Sequence, residues 1–418
     1  MLRRAWKKIR GKSSKKVSGE SGPSSSRDEG PSSSSARALS DSSYSLQLED
    51  SPLSPSNTTS YSTDVYRVAY RLSTQESNRW FIGLLQDKTV EEILNEVGES
   101  SITQFRCEGK IPPLNILCPM VRELWLENIP ENCQLESLSS LTHMKMLWLS
   151  DNKFTKGLPE VVGTLTSLTE LHLHNCQLED LPQSLSSLTQ LEMLALSYNN
   201  FKEGLPEVVG ALKSLSELRL ISCKLQDLPE SLPSLTHLKV LWLGENNFKQ
   251  GFPEVIGSLT SLAKLFLNNC QLQDLPESLP SLTHLKVLWL TENNFKQGFP
   301  EVIGSLTSLT KLFLNNCQLQ DLPESLSKLS QLKELNITKN ELKDVPGAVF
   351  HLTALTELDI RFNCELTKID ERVMALNNLQ KLTCDGCLKL VSPPYGVCQE
   401  GIHTIREYFN VFRQGRKK

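Results

Sequence analysis

The chain of 418 residues is longer than one globular core usually is, which points to several domains or to an elongated repeat array. Its 39% hydrophobic and 22% charged residues, with a net charge of -4, describe an ordinary soluble protein and exclude a globally basic nucleic-acid binder. No run of roughly 18 apolar residues is present, so no bilayer-spanning helix is expected.

Residues 1–16 (MLRRAWKKIRGKSSKK) are basic and lack the apolar core of a secretory signal, so a cytoplasmic or nuclear location is expected. On a helix, Leu2, Trp6 and Ile9 share one face, with Arg3, Arg4, Lys7, Lys8 and Arg10 around it. That make-up suits an interfacial anchor for anionic lipid at the inner membrane surface. A nuclear-import signal and a solvated basic tail fit the same residues equally well. Residues 17–64 are dominated by Ser and cannot bury enough apolar area to offset the entropy of ordering, so a disordered arm is expected. Beyond it, Tyr66, Val68, Tyr70 and Leu72 alternate with Arg67, Ala69 and Arg71, the period-2 pattern of a strand. Within that strand, Arg67-Val68-Ala69-Tyr70 resembles the Arg-Val-x-Phe motif that docks on protein phosphatase-1 by adding a strand to a sheet edge. Trp80, Leu84, Val90, Ile93, Leu94 and Val97 fall mostly at helical spacings and predict a helix within 79–97. Residues 65–120 as a whole read as an N-terminal cap.

The stretch 121–392 is repetitive. Aligned on L-x-x-L-x-L-x-x-N/C-x-L, first positions fall at Val121, Met144, Leu168, Leu191, Leu215, Leu238, Leu262, Leu285, Leu309, Leu332, Leu355 and Leu379, in steps of 23 or 24 residues. Ile102 offers an earlier start. This is the leucine-rich-repeat signature, and it predicts an α/β solenoid: a horseshoe with a parallel β-sheet on the concave face and short helical turns on the convex face. Leucines at positions 1, 4, 6 and 11 are expected to stack on those of neighbouring copies, because one copy alone has no core. At position 9, Asn152, Asn199, Asn246, Asn293, Asn340 and Asn363 sit where the chain leaves the strand, and a buried amide there can satisfy backbone groups left by the turn. Cys176, Cys223, Cys270 and Cys317 take that place in alternate copies, every 47 residues, and read as reduced packing thiols. Cys384-Asp385-Gly386-Cys387 is read as packing as well.

The alternation defines a double unit, and residues 238–284 and 285–331 are nearly identical, as expected of growth by duplication. Convex segments such as Phe299-Pro300-Glu301-Val302-Ile303-Gly304 carry Pro early and Gly late, which favours short turns over full helices. In residues 393–418, Ile402, Ile405, Tyr408, Phe409 and Phe412 form one apolar helical face that can seal the last copy, followed by a basic tail.

The Leu-Pro-x-x-[Leu/Val/Ile] convex segment resembles the intracellular Ras-group of leucine-rich-repeat proteins, which includes Ras-pathway and Scribble/Erbin scaffolds. The terminal Pro393-Pro394-Tyr395-Gly396-Val397-Cys398 run, through Tyr408-Phe409, is similar to the segment that closes the repeats of Roco proteins and of related death-domain adaptors. The resemblance covers about 121–412 and implies an intracellular scaffold or adaptor in signal transduction, with Ras-type GTPases among its candidate partners.

Position 5 of the copies is the place to look for binding, since it lies on the strand and points away from the core. Reading along the array it is Trp125, Trp148, His172, Ala195, Arg219, Trp242, Phe266, Trp289, Phe313, Asn336, Asp359 and Thr383. Four of the six tryptophans stand in this column, and Trp and Arg dominate binding hot spots. The stretch from Trp125 to Phe313 is therefore expected to bind a partner protein. The competing reading is that the rings merely stack along the ladder and stabilise the sheet. Two further functions fit the same architecture: an immune-type recognition sensor, and a regulatory subunit of a phosphatase or ubiquitin ligase. Catalysis, cofactors and metals are not expected. Gly11-Lys12-Ser13 lacks the upstream Gly of a phosphate loop, and the seven His show no ligand spacing.

Overall fold

Leucines at positions 4 and 6 are two residues apart, so a strand turns both to one face and presents position 5 on the other. The computed structural model describes residues 66–72, 81–85, 102–108, 121–131, 133 and 135–415, all within the unit Thr63–Lys418. The basic face at 2–10, the Ser-rich stretch 17–64 and the last three residues lie outside the described residues. A 15-stranded sheet runs through this unit. It starts with β1 (Tyr66–Leu72), β2 (Phe81–Leu85), β3 (Ile102–Glu108) and β4 (Glu123–Glu127). Eleven three-residue strands follow, from β5 (Met146–Trp148) to β15 (Lys381–Thr383). From β3 to β15 every neighbour is parallel and in sequence order, the open sheet of a leucine-rich-repeat solenoid. Gln104 pairs with Glu123 in register, which makes Ile102 the first position of a copy preceding Val121.

One expectation for the N-terminal cap is corrected in its described part, while residues 86–97 of the predicted helix lie outside the described residues. Residues 81–85 are a strand antiparallel to β1 where a helix was predicted, because a short apolar run cannot be told from a helix by spacing alone and pairing with β1 decides it. β1 itself is flanked by β2 on one side and β3 on the other. Arg67-Val68-Ala69-Tyr70 thus has no open edge with which to extend another sheet.

Strand formation is local, and stability comes from stacking. Leu124, Leu147, Leu171, Leu194 and their successors at position 4 are fully buried, as are the position-6 leucines. Each buried side chain of this size is worth about 1.5–3 kcal/mol, most of it gained against neighbouring copies. In the copies with Asn at position 9, Phe201, Phe248 and Phe295 add a buried ring at position 11. The convex face is made of 3-10 turns of three or five residues, most entered from an extended Pro such as Pro253 (φ -60°, ψ 133°). Gly163, Gly210, Gly257 and Gly304 lie inside these turns with ordinary φ, so ending a helix is not their role. A Cβ on Gly257 would stand 2.5 Å from the Ser278 Cβ of the next copy, and the other three meet Ser184, Ser231 and Ser325 in the same way.

The turn after each strand is held from inside. Asn246 Oδ1 accepts from Cys223 N and Leu225 N, both at 3.0 Å, and its Nδ2 donates to Leu220 O and Leu243 O, both at 2.7 Å. Asn199 and Asn293 repeat the set. In the alternate copies, the Cys223, Cys270 and Cys317 thiols donate to carbonyls of the preceding copy at 3.1–3.2 Å. Burial pushes these thiols up to about 12, which suits packing and opposes thiolate chemistry. Cys387 continues this ladder onto Ile360 O at 3.2 Å. Two helices close the array, α1 (Tyr395–Gln399) and α2 (Ile402–Gly415). Ile402, Ile405 and Phe409 are buried against the last copy, and Arg406 donates to the carbonyls of Leu376 and Leu379.

Candidate protein-binding surface

Parallel strands in register place equivalent residues of successive copies side by side, so position 5 forms a continuous column. Trp125 pairs with Trp148, Trp148 with His172, and the register continues through Ala195, Arg219, Trp242, Phe266, Trp289 and Phe313 to Asn336. Backbone bonding extends past the three assigned residues, with Leu243 N donating to Phe266 O and Glu245 N to Asn268 O, both at 2.8 Å. The turn falls at position 8, where Glu245 and Glu292 have φ near +60°.

All eight sequence-predicted residues stand in this column, but they are neither equally exposed nor continuous. Trp125, Trp148, Arg219, Trp242 and Trp289 are half-buried, while His172, Phe266 and Phe313 are buried, at 6%, 4% and 4% exposure. Ala195 and Arg219 interrupt the rings and leave two aromatic blocks. In the first, Trp148 stacks on His172 with centroids 4.2 Å apart, and His174 meets Trp148 edge-on at 5.4 Å. In the second, Trp242 stacks on Phe266 at 3.6 Å and Trp289 on Phe313 at 4.5 Å. Between these pairs the rings are tilted by 40° with centroids 5.8 Å apart. Ring stacking along the ladder is thus real, and the tryptophans still present part of their surface.

Position 3 fixes the orientation of the column. Glu217 Oε1 accepts from Arg219 Nε at 2.7 Å and from Trp242 Nε1 at 3.1 Å. Glu170 stands 3.5 Å from His172 Nε2, yet burial outweighs that carboxylate and holds the imidazole below its usual range. Neither Glu was singled out from the sequence, although an acid at position 3, beside the His or Arg at position 5 of its own strand or diagonal to the Trp of the next, is the available signal. Past Phe313 the column is polar, and Asn336 and Asp359 are paired with side chains of their own copies, while the Thr383 hydroxyl is buried without a partner among the described residues. Asn336 accepts from Thr338, and Asp359 from Arg361 with an Nη2–Oδ2 distance of 2.6 Å.

Among the described residues, no helix is long and apolar enough to cross a membrane, and no group of three His, Cys, Asp or Glu is placed to hold a metal ion. What this surface offers is a face of partly open rings with polar flanks. The family described as leucine-rich repeat region matches residues 100–247, and that of leucine-rich repeats in two copies matches 260–301 and 307–348. A leucine-rich-repeat protein of Leptospira interrogans is 30% identical, with 68% of this chain and 76% of that one covered and a TM-score of 0.54. An internalin of Listeria monocytogenes shares the fold, at 20% identity over 75% of this chain and 89% of that one, with a TM-score of 0.55. The PEPR1–AtPEP1 structure is 25% identical over 66% of this chain and 41% of that one, with a TM-score of 0.50. No curated protein matches the chain in sequence. The chain belongs to the leucine-rich-repeat family.

Proposed function

We propose that this protein is an intracellular scaffold or adaptor that binds a partner protein along the concave column from Trp125 to Phe313. The observation that carries the reading is the set of four half-buried tryptophans in one register column, because large rings left partly open to water are costly unless a partner covers them. Membership of the leucine-rich-repeat family supports a protein ligand over a small molecule. The resemblance of the convex and closing segments to Ras-group and Roco proteins supports a signalling setting, with small GTPases as candidate partners. The basic face formed by Leu2, Arg3, Arg4, Trp6, Lys7, Lys8, Ile9 and Arg10 would place such an assembly at an anionic membrane.

Affinity capture from cells tests the central part of this reading. A Trp148→Ala, Trp242→Ala, Trp289→Ala variant, shown to be folded by circular dichroism, should lose its principal partners, since each hot-spot ring is worth about 2 kcal/mol or more. An unchanged partner set would move binding off the concave face.

A further inference from the structure

The second aromatic block repeats itself at a fixed distance. In the two near-identical double units, Trp242 and Trp289 hold equivalent places, as do Phe266 and Phe313, and Glu245 and Glu292. Two in-register strand steps of ~4.8 Å set the backbones of Trp242 and Trp289 ~9.6 Å apart, and the ring centroids, 3.6 Å from Trp242 to Phe266 and 5.8 Å from Phe266 to Trp289, cap the separation of the two indoles at about 9.4 Å. Two ridges result, each a stacked Trp/Phe pair, with the wider tilted gap between them.

A ligand that meets both ridges with equivalent side chains must repeat on one face at this distance. An extended strand repeats a face every ~6.7 Å. An α-helix does so every ~5.4 Å per turn or every ~10.5 Å per heptad, the latter beyond the limit the rings set. A polyproline II helix repeats every three residues, or about 9.3 Å. The chemistry agrees with the spacing. An aromatic ridge offers no acceptor for a backbone N–H, and proline has none to strand against it. Exposed Glu245 and Glu292 recur with the same period at position 8, on one side of the rings. Lys264 and Lys311 lie at position 3 on the opposite side, and Lys311 is paired with Glu334 at 2.7 Å.

We propose that the face from Trp242 to Phe313 takes a proline-rich polyproline II segment of a partner protein, with prolines on the Trp/Phe ridges and cationic side chains on the edge toward Glu245 and Glu292. This rests on the concave face being the partner-binding surface and adds the chemistry of the ligand.

Calorimetric titration of the full chain with three synthetic peptides tests it: four Pro-Pro-Arg units, four Gly-Gly-Arg units of the same charge, and four Pro-Pro-Glu units. The Pro-Pro-Arg peptide should bind at least about tenfold more tightly than either control, and a folded Trp242→Ala, Trp289→Ala variant should lose at least about tenfold of that affinity. Equal binding of Gly-Gly-Arg would reduce the effect to charge and overturn the proposal. So would no binding of Pro-Pro-Arg, or binding indifferent to the two tryptophans. If partner capture depends on the tryptophans while the Pro-Pro-Arg peptide fails, only the ligand chemistry is wrong. If capture ignores the tryptophans, the concave reading itself has failed.

Discussion

A single amide at position 9 serves four backbone groups, one at the end of its own strand and three on the copy before it. Asn246 takes both N–H groups of the Cys223 copy's turn and gives both of its protons to strand-end carbonyls. Replacing it by Ala leaves those groups buried and unpaired, so Asn246→Ala should lower stability by about 3 kcal/mol or more in urea unfolding. A loss below about 1 kcal/mol would mean that water or backbone adjustment satisfies the turn. The need for this amide was legible in the sequence, because its position in the motif marks where a strand leaves its ladder. The depth of each ring in the column was not. His172, Phe266 and Phe313 are covered by the indoles beside them, and that cover depends on side-chain rotamers and on the step between copies, which a repeat pattern does not specify.

Among the elements, the turns of the convex face show what local pattern can and cannot predict. An early Pro gave the turn its beginning and ruled out a long helix, in agreement with the 3-10 segments Glu254–Ser258 and Glu301–Ser305. The Gly near the end of each segment looked like a stop signal, and it is a contact: Gly257 packs against Ser278, 21 residues away, so only the folded stack reveals its role. Gly257→Ala should destabilise by about 1–3 kcal/mol, with circular dichroism showing an unchanged strand content, because the added methyl must push one turn off the next. No change in the melting temperature would contradict the packing described here. The hairpin of β1 and β2 was half legible. Alternation identified the first strand, and the second was hidden in a run too short to carry a period.

For the array as a whole, interactions run almost entirely between neighbours, so the double unit is the natural quantum of change. Excising residues 238–284 brings Leu285 to the place of Leu238, with an Asn copy again following a Cys copy, and the product should fold cooperatively with a modest loss of melting temperature. Excising only 238–261 puts one Cys copy after another and leaves Cys223 N and Leu225 N without the Asn246 carbonyl oxygen. That shorter deletion should be the more damaging of the two, as judged by urea unfolding, and the reverse order would refute the alternating register as a source of stability.

The central claim is that partners cover the tryptophan column of the concave face, and site-specific photo-crosslinking in cells tests it most directly. A benzophenone side chain placed at Trp242 should capture a partner, while the same group at Val255 on a convex turn should not. Crosslinks from Val255 with none from Trp242 would show that the binding surface lies on the opposite side of the solenoid.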